Sequence, residues 1–141
     1  MTSSRSGWLN QFQLYPNASK FHNRIRDIFR TDTFFKGLQC YQEVPLSALV
    51  PSYPNNRDAI DWYVDELNVV LELHGRQHYE QVSFGYKPYD EAKKDFHNIQ
   101  YRDNRKKTHL IDSGYSYVEI SYQEEALLTS EYIKNKIFYE G

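Results

Sequence analysis

The sequence predicts an α/β protein of one domain, with a central mixed β-sheet flanked by helices. Two observations lead to this fold class. Apolar residues at helical spacing alternate with short runs of β-branched and aromatic residues, in the order α, β, β, β, α, β, α, which is typical of a mixed sheet covered by helices. At 141 residues, the chain has the length of a single domain, which buries about two thirds of its unfolded surface.

The first helix is predicted from about residue 19 to residue 30. Ser19 is a typical N-cap residue, and apolar residues at positions 21, 25, 28 and 29 form one stripe of this helix. His22 lies at the edge of the stripe. Residues 38–46 have extended character, and residues 47–57, which contain two prolines, are predicted to form a loop.

A β-hairpin is predicted next, from the runs "AIDWYV" and "VVLELH" joined by "DELN". Residues 75–90 are expected to form a loop, followed by a long helix from about residue 91 to residue 113 with Gly114 as its C-cap. The strand "YSYVEIS" and a helix from about residue 129 complete the domain. Residues 1–18 are expected to form an arm or a short additional strand, and residues 19–141 the domain itself.

The composition excludes several classes of protein. The 13 tyrosines, 8 phenylalanines and 2 tryptophans argue against a disordered chain, and no apolar run approaches the roughly 20 residues of a membrane span. The N-terminus lacks the apolar segment of a signal peptide. A single cysteine, Cys40, makes neither an internal disulfide nor a multi-cysteine zinc site, so a reducing cytoplasm is expected.

The net charge of −2 does not by itself indicate a nucleic-acid-binding protein, which is usually basic. The cations are nevertheless clustered, in the first helix and in the second half of the long helix. Either cluster taken alone is also consistent with a solvated helix face. The clustered residues are Lys20, Arg24, Arg26, Arg30, Lys93, Lys94, Arg102, Arg105, Lys106 and Lys107.

The hairpin register predicts a pair of facing carboxylates. If the turn occupies residues 65–68, Asp61 lies opposite Glu72, and His74 shares their face. Val69, Leu71 and Leu73 then point the other way, into the core. Facing carboxylates destabilise a sheet unless a cation or a shared proton offsets their repulsion, and oxygen ligands favour Mg²⁺. A different register would instead place Asp61 in a turn and Glu72 at an exposed edge.

A third carboxylate is predicted on the long helix. Ala92, Phe96, Ile99 and Leu110 form its apolar stripe, and Asp103 lies near the middle of that stripe. Because a fully buried aspartate needs a charged partner or a metal, we expect Asp103 to face a polar site. The alternative is an ion pair with a cation such as Arg24, Arg102 or Lys107.

These residues carry a family resemblance. The hairpin "AIDWYVDELNVVLELHGRQHY" resembles the core of the PD-(D/E)xK nuclease superfamily, with a histidine at position 74 where the usual lysine stands. Together with "NIQYRDNRKKTHLIDSGYSYVEI", it is similar to the very-short-patch repair endonucleases and their phage homing-endonuclease relatives. The resemblance covers roughly residues 19–121 and implies a restriction-endonuclease-like core.

The resemblance implies a metal-dependent DNA endonuclease. The positions that match the family's site are Asp61, His74 and Asp103, whereas His22 stands where a first-helix glutamate is expected and Glu43 is a candidate substitute. Glu72 is expected to help Asp61 bind Mg²⁺, for which Mn²⁺ can substitute, and Gln77 and His78 to flank the site. Contacts with double-stranded DNA are expected from Arg24, Arg76, Arg102, Lys106 and Lys107.

Other readings remain open at this point. His74 and His78 have the spacing of paired zinc ligands, but the intervening Gly75-Arg76 and the preceding strand do not fit a helical zinc hydrolase site. A binding module that has lost catalysis is a second alternative. Homing, mismatch-nicking and junction-resolving enzymes are not separated by the sequence, nor is a monomer from a homodimer. The cytoplasm of a phage-infected bacterium is the expected location.

Overall fold

A computed structural model describes residues 7–76, 79 and 89–139 and confirms the mixed sheet flanked by helices. Five strands lie in the order β1-β2-β3-β4-β5; the first three pairs are antiparallel, and β4 and β5 are parallel. The elements are β1 (Leu9–Asn10), α1 (Lys20–Thr31), β2 (Cys40–Pro45), α2 (Leu46–Leu49), β3 (Ala59–Val64), β4 (Val69–His74), α3 (Tyr89–Asp112), β5 (Ser116–Ser121) and α4 (Ser130–Tyr139).

The N-terminal segment joins the sheet through β1, which pairs with β2 at its outer edge. The predicted loop at residues 47–57 is interrupted at its start by the single turn of α2. Helix α1 begins where it was predicted, because the Ser19 hydroxyl accepts a hydrogen bond from the His22 amide at 3.1 Å.

The sheet separates two apolar cores. One lies against α1 and α4, and it includes Phe29, Trp62, Leu71 and Ile133. The other lies against α2 and α3, and it includes Leu110. Burial of one stripe of each helix against the sheet supplies the main stabilisation of the fold.

The predicted hairpin register is confirmed. Val64 pairs with Val69 and Trp62 with Leu71, and Asn68, with φ of 55°, ends the connecting turn in the left-handed conformation that asparagine tolerates. Val69, Leu71 and Leu73 of β4 pack against the α1 side, as expected. This register excludes the alternative with an exposed Glu72, whose exposure is 3%.

The ladder between β2 and β3 is interrupted at one position. Gln42 pairs with Trp62 and Val44 with Ile60, while Glu43, opposite Asp61, has φ of 50°. A non-glycine residue with positive φ is uncommon and persists only where its surroundings hold it. The sequence gives no sign of this interruption, which places two acidic residues at the same point of the sheet.

Helix α3 is slightly longer than predicted and begins at Tyr89. Its apolar stripe is less buried than expected, since Ala92 and Leu110 are buried but Phe96 and Ile99 are half-buried. Gly114 has φ of 92° and ends the helix as predicted. None of the helices in the described part of the chain combines the length and apolarity needed to cross a membrane.

Candidate metal centre and histidine cavity

Three side chains from separate elements meet at the interruption of the sheet. His22 of α1, Glu43 of β2 and Asp61 of β3 each offer one ligand atom, and these atoms lie within 4.8 Å of one another. Two carboxylates and one imidazole form a donor set that fits a divalent cation. Asp61 was a predicted ligand, and both candidates for the first-helix glutamate position, His22 and Glu43, lie beside it.

Carboxylates replace backbone groups as hydrogen-bond acceptors where β3 and β4 separate. The Leu73 amide donates to Asp61 Oδ2 at 2.7 Å, and the Asp61 amide donates to Glu72 Oε2 at 3.3 Å. These two bonds continue the hairpin beyond the Trp62 and Leu71 pair. Asp61 and Glu72 are therefore neighbours, as the register predicted, and each is held by the opposite strand.

Glu72 was predicted to be a metal ligand, but its carboxylate instead contacts the side chain of a lysine. Its Oε1 atom lies 2.7 Å from Lys106 Nζ, and the Glu72 and Lys106 side chains are only 4% and 12% exposed. Lys106 Nζ also donates to the Ala59 carbonyl oxygen at 3.1 Å. Lys106 was predicted to contact DNA from the helix surface, but the structure places it inside, next to the metal-ligand group.

The carboxylates of this region disfavour ionisation. Burial and the nearby Asp61 raise the pKa of Glu72 to about 8, despite the opposing effect of Lys106. Burial also raises the pKa of Asp61 and of Glu43, and the charges of their acidic neighbours add to the effect. A divalent cation would stabilise the ionised forms, so this cluster has the electrostatic character of a metal site.

A cavity of about 490 Å³ opens beside the metal-ligand group. It extends between the start of α1 and the end of β4, and it contains space for a ligand much larger than an ion. Its lining includes Tyr15, Lys20, His22, Glu43, Asp61, Leu73, Gly75 and Tyr122.

His74 does not share a cavity with Asp61, which corrects the prediction of a single cluster. It is 4% exposed, its Nδ1 atom lies 3.4 Å from Glu119 Oε1, and it lines a separate cavity of about 250 Å³ with Asp103, Lys107 and Tyr117. Because side chains alternate along a strand, the sequence predicted that Asp61, Glu72 and His74 would lie on one face of the sheet. The interruption at Glu43 instead lets the Asp61 carboxylate reach α1, while His74 faces α3.

Asp103 faces polar surroundings, as expected. It lines the cavity of His74 and also a neighbouring cavity of about 250 Å³ that contains Glu43 and Lys106. Asp103 thus lies on the helix between the two groups of site residues. The residues predicted to form one site therefore lie on both sides of the sheet.

Glu119 is a site residue that the sequence reasoning missed. The parallel pairing of β4 and β5 places it beside Glu72, and its carboxylate accepts a hydrogen bond from Tyr79 Oη. The contact with His74, and to a smaller extent the hydrogen bond from Tyr79, lowers the pKa of Glu119 to about 2. The alternation of "YVEIS", with Val118 and Ile120 apolar, indicated the face of Glu119, but not which strand would lie beside it.

The predicted DNA-binding residues are dispersed. Arg24 is exposed and donates to the Leu128 carbonyl oxygen, and Arg76 is exposed near the end of β4. Arg102 lines the cavity that contains Glu43, and Lys107 Nζ lies 5.6 Å from the centre of the Tyr117 ring. The remaining predicted site residues, Gln77 and His78, lie outside the described residues. His78 is also one of the two histidines on which the zinc alternative depends.

Comparison with known proteins adds no family assignment. No family model matches the chain, and a search of curated proteins finds no match. The relation to the PD-(D/E)xK nucleases therefore remains a resemblance of motifs, and the site itself has to support any conclusion about function.

Proposed function

We propose that this protein is a metal-dependent endonuclease that hydrolyses phosphodiester bonds in double-stranded DNA, with Mg²⁺ or Mn²⁺ as cofactor. The observation that carries the proposal is the meeting of His22, Glu43 and Asp61 within 4.8 Å, beside a cavity of about 490 Å³. Ligands for a cation, next to space for a substrate, form the arrangement that hydrolysis of a phosphodiester requires. The motif resemblance points to the same reaction.

The residues of the chain have distinct parts in this reaction. His22, Glu43 and Asp61 would hold the ion, which when bound polarises the phosphate and stabilises negative charge on its oxygens. Lys106 holds Glu72 in place and offsets part of the negative charge of the acidic cluster. Both side chains are largely buried, so the Lys106 ammonium would lose a close acceptor if Glu72 moved away.

His74 is the proposed proton-transfer group, and Asp103 lines both its cavity and the cavity that contains the proposed ligand Glu43. His74 is buried, held by Glu119 at one ring nitrogen, and lies in a cavity with Asp103 and Lys107. An imidazole is suited to remove a proton from water or to donate one to the leaving oxygen near neutral pH. Lys107 lines the cavity of His74, and Arg102 lines the cavity that contains Glu43 and Lys106. These two exposed cations, and the exposed Arg76 after the end of β4, would meet the DNA backbone.

A cleavage assay with supercoiled plasmid DNA tests the proposal. The wild-type chain should convert the plasmid to nicked or linear DNA with Mg²⁺ or Mn²⁺ and not in excess chelator. Asp61→Asn should lower the rate by about a thousandfold, since several kcal/mol of charge stabilisation depend on the bound ion. Asp27→Asn, which alters an exposed aspartate of α1, should cut like the wild type.

The assay also separates the proposed enzyme from a DNA-binding module of the same fold. A folded wild-type chain that retards DNA in a gel but cuts it with neither metal would overturn the proposal. If the chain does cut DNA, end sequencing of the products from a large DNA library would distinguish homing, mismatch-nicking and junction-resolving activity. Sedimentation of the DNA complex would distinguish a monomer from a homodimer.

A further inference from the structure

The hydrogen bonds of Gln42 determine which nitrogen of His22 carries a proton. The Gln42 side-chain amide nitrogen donates to the carbonyl oxygens of Asn10 and Gln13, at 2.7 and 2.8 Å. Both partners only accept, so this atom of the amide has to be the NH₂ group. The other atom, Gln42 Oε1, therefore faces His22 Nε2 at 2.9 Å as an acceptor.

Because Gln42 Oε1 can only accept a hydrogen bond, Nε2 of His22 has to carry the proton. In the neutral imidazole, the other nitrogen, Nδ1, then carries a lone pair. The tautomer that can bind a cation through Nδ1 is thus set by Gln42, in the way that metal-binding histidines are commonly oriented by a second hydrogen bond.

The ring of His22 is also fixed in position. It stacks on Trp62, with ring centres 4.9 Å apart and planes inclined by 27°, and it contacts Tyr15 on another side. The side chain is 4% exposed. A buried imidazole held by two rings and one amide cannot turn away from Glu43 and Asp61 without breaking these contacts.

We infer that His22 binds the cation through Nδ1, with Gln42 as its positioning residue, and that this centre prefers first-row transition-metal dications over Mg²⁺. A nitrogen ligand strengthens binding of transition metals, whereas Mg²⁺ favours an all-oxygen shell. The inference rests on the metal centre of the proposed function, but it does not depend on DNA cleavage.

Metal binding to the purified full-length chain tests this inference directly. With Mn²⁺ as the probe, electron spin-echo spectroscopy should detect a directly bound ¹⁴N nucleus. Calorimetry should give an affinity for Mn²⁺ roughly tenfold or more above that for Mg²⁺. Equal affinities for the two ions, or a Mn²⁺ signal without nitrogen coupling, would overturn the inference.

Two variants and one control sharpen the test. His22→Glu restores an all-oxygen set, so the nitrogen coupling should disappear and the Mn²⁺ preference should fall toward unity. Gln42→Met removes the acceptor and should weaken Mn²⁺ binding by about 10-fold to 100-fold. His97→Ala, which removes an exposed histidine of α3, should change neither quantity. Circular dichroism of each variant establishes that it folds.

The two proposals fail in different ways. A chain that binds Mn²⁺ with nitrogen coupling but cuts no DNA overturns the proposed nuclease and supports the metal centre. A chain that cuts DNA with Mg²⁺, but shows no nitrogen coupling with Mn²⁺, keeps the nuclease proposal and overturns the role of His22.

Discussion

Glu72 and Glu119 are the same residue type at paired positions of adjacent strands, yet their acidities shift in opposite directions. Burial and the nearby Asp61 raise the pKa of Glu72 to about 8, whereas His74 and Tyr79 lower the pKa of Glu119 to about 2. The difference comes from what surrounds each carboxylate. Glu72 lies beside further acids, while Glu119 accepts hydrogen bonds and lies near an imidazole.

The comparison distinguishes two kinds of site in one sheet. The region of Glu72, Asp61 and Glu43 gathers carboxyl groups whose ionisation an added cation would favour, beyond the contribution of Lys106. In the region of Glu119 and His74, the contact between these two side chains itself stabilises the carboxylate. One region has the properties of a metal centre and the other those of a proton-transfer group, as proposed above.

The largest effect is expected from His74→Ala in the second region. Loss of a proton-transfer group should lower the cleavage rate by about 10² to 10⁴. Plasmid cleavage measured over pH 6 to 9 checks this, with His97→Ala as the control. Mn²⁺ binding should be unchanged in His74→Ala, and a large loss of metal affinity would show that the two regions are not separate.

A smaller effect is expected from Glu119→Gln. The amide no longer offers the imidazole a negatively charged partner to hold it in position, so the rate should fall by about tenfold. Tyr79, Asp103, Lys107 and Tyr117 also face this cavity and stay in place. Glu119→Asp should retain most of the activity. An unchanged cleavage rate in Glu119→Gln would reduce Glu119 to a packing role.

The stability of the metal-free protein should depend on pH in opposite ways in the two regions. Because the pKa of Glu72 is raised from 4.5 to about 8, its contribution is complete below pH 4.5 and is lost as the pH rises through 8. Chemical unfolding of the wild type should therefore show a loss on the order of 1–3 kcal/mol across this window. Glu72→Gln should make that slope clearly smaller, while Asp61 and Glu43, whose pKa values are also raised, keep a part of it. A slope unchanged from the wild type would contradict the prediction.

The smallest expected effect is at acidic pH. Because the pKa of Glu119 is lowered from 4.5 to about 2, its contribution is present above pH 4.5 and is lost as the pH falls through 2. Its carboxylate is partly exposed, so the effect on the melting temperature should be modest. Glu119→Gln should melt closer to the wild type at pH 2 than at pH 6, and an equal difference at both would count against the contact with His74.

Much of the fold was predictable because it follows from local patterns. The stripe of α1, its Ser19 cap, the hairpin register and the Gly114 terminus each depend on residues close together in the chain. The half-burial of Phe96 and Ile99 was not predictable, since helical spacing does not tell how much of a face is covered.

The site was predictable in part for the same reason. The proximity of Asp61 and Glu72 follows from a short hairpin, where turn length sets the register. The positions of Lys106 and Glu119 do not follow from the hairpin, because each residue reaches it from an element far along the chain. Sequence periodicity placed Lys106 on a helix, but it could not indicate that the ammonium group would be buried.

The sequence by itself therefore determined the elements, the hairpin and the acidic pair, since these depend on spacing along the chain. Tertiary structure decided which side chains meet: His22 with Glu43 and Asp61, Lys106 with Glu72, and Glu119 with His74. The physical reason is that electrostatic and metal-binding properties depend on distances of a few ångströms between residues remote in sequence, and only packing of the helices on the sheet sets these distances.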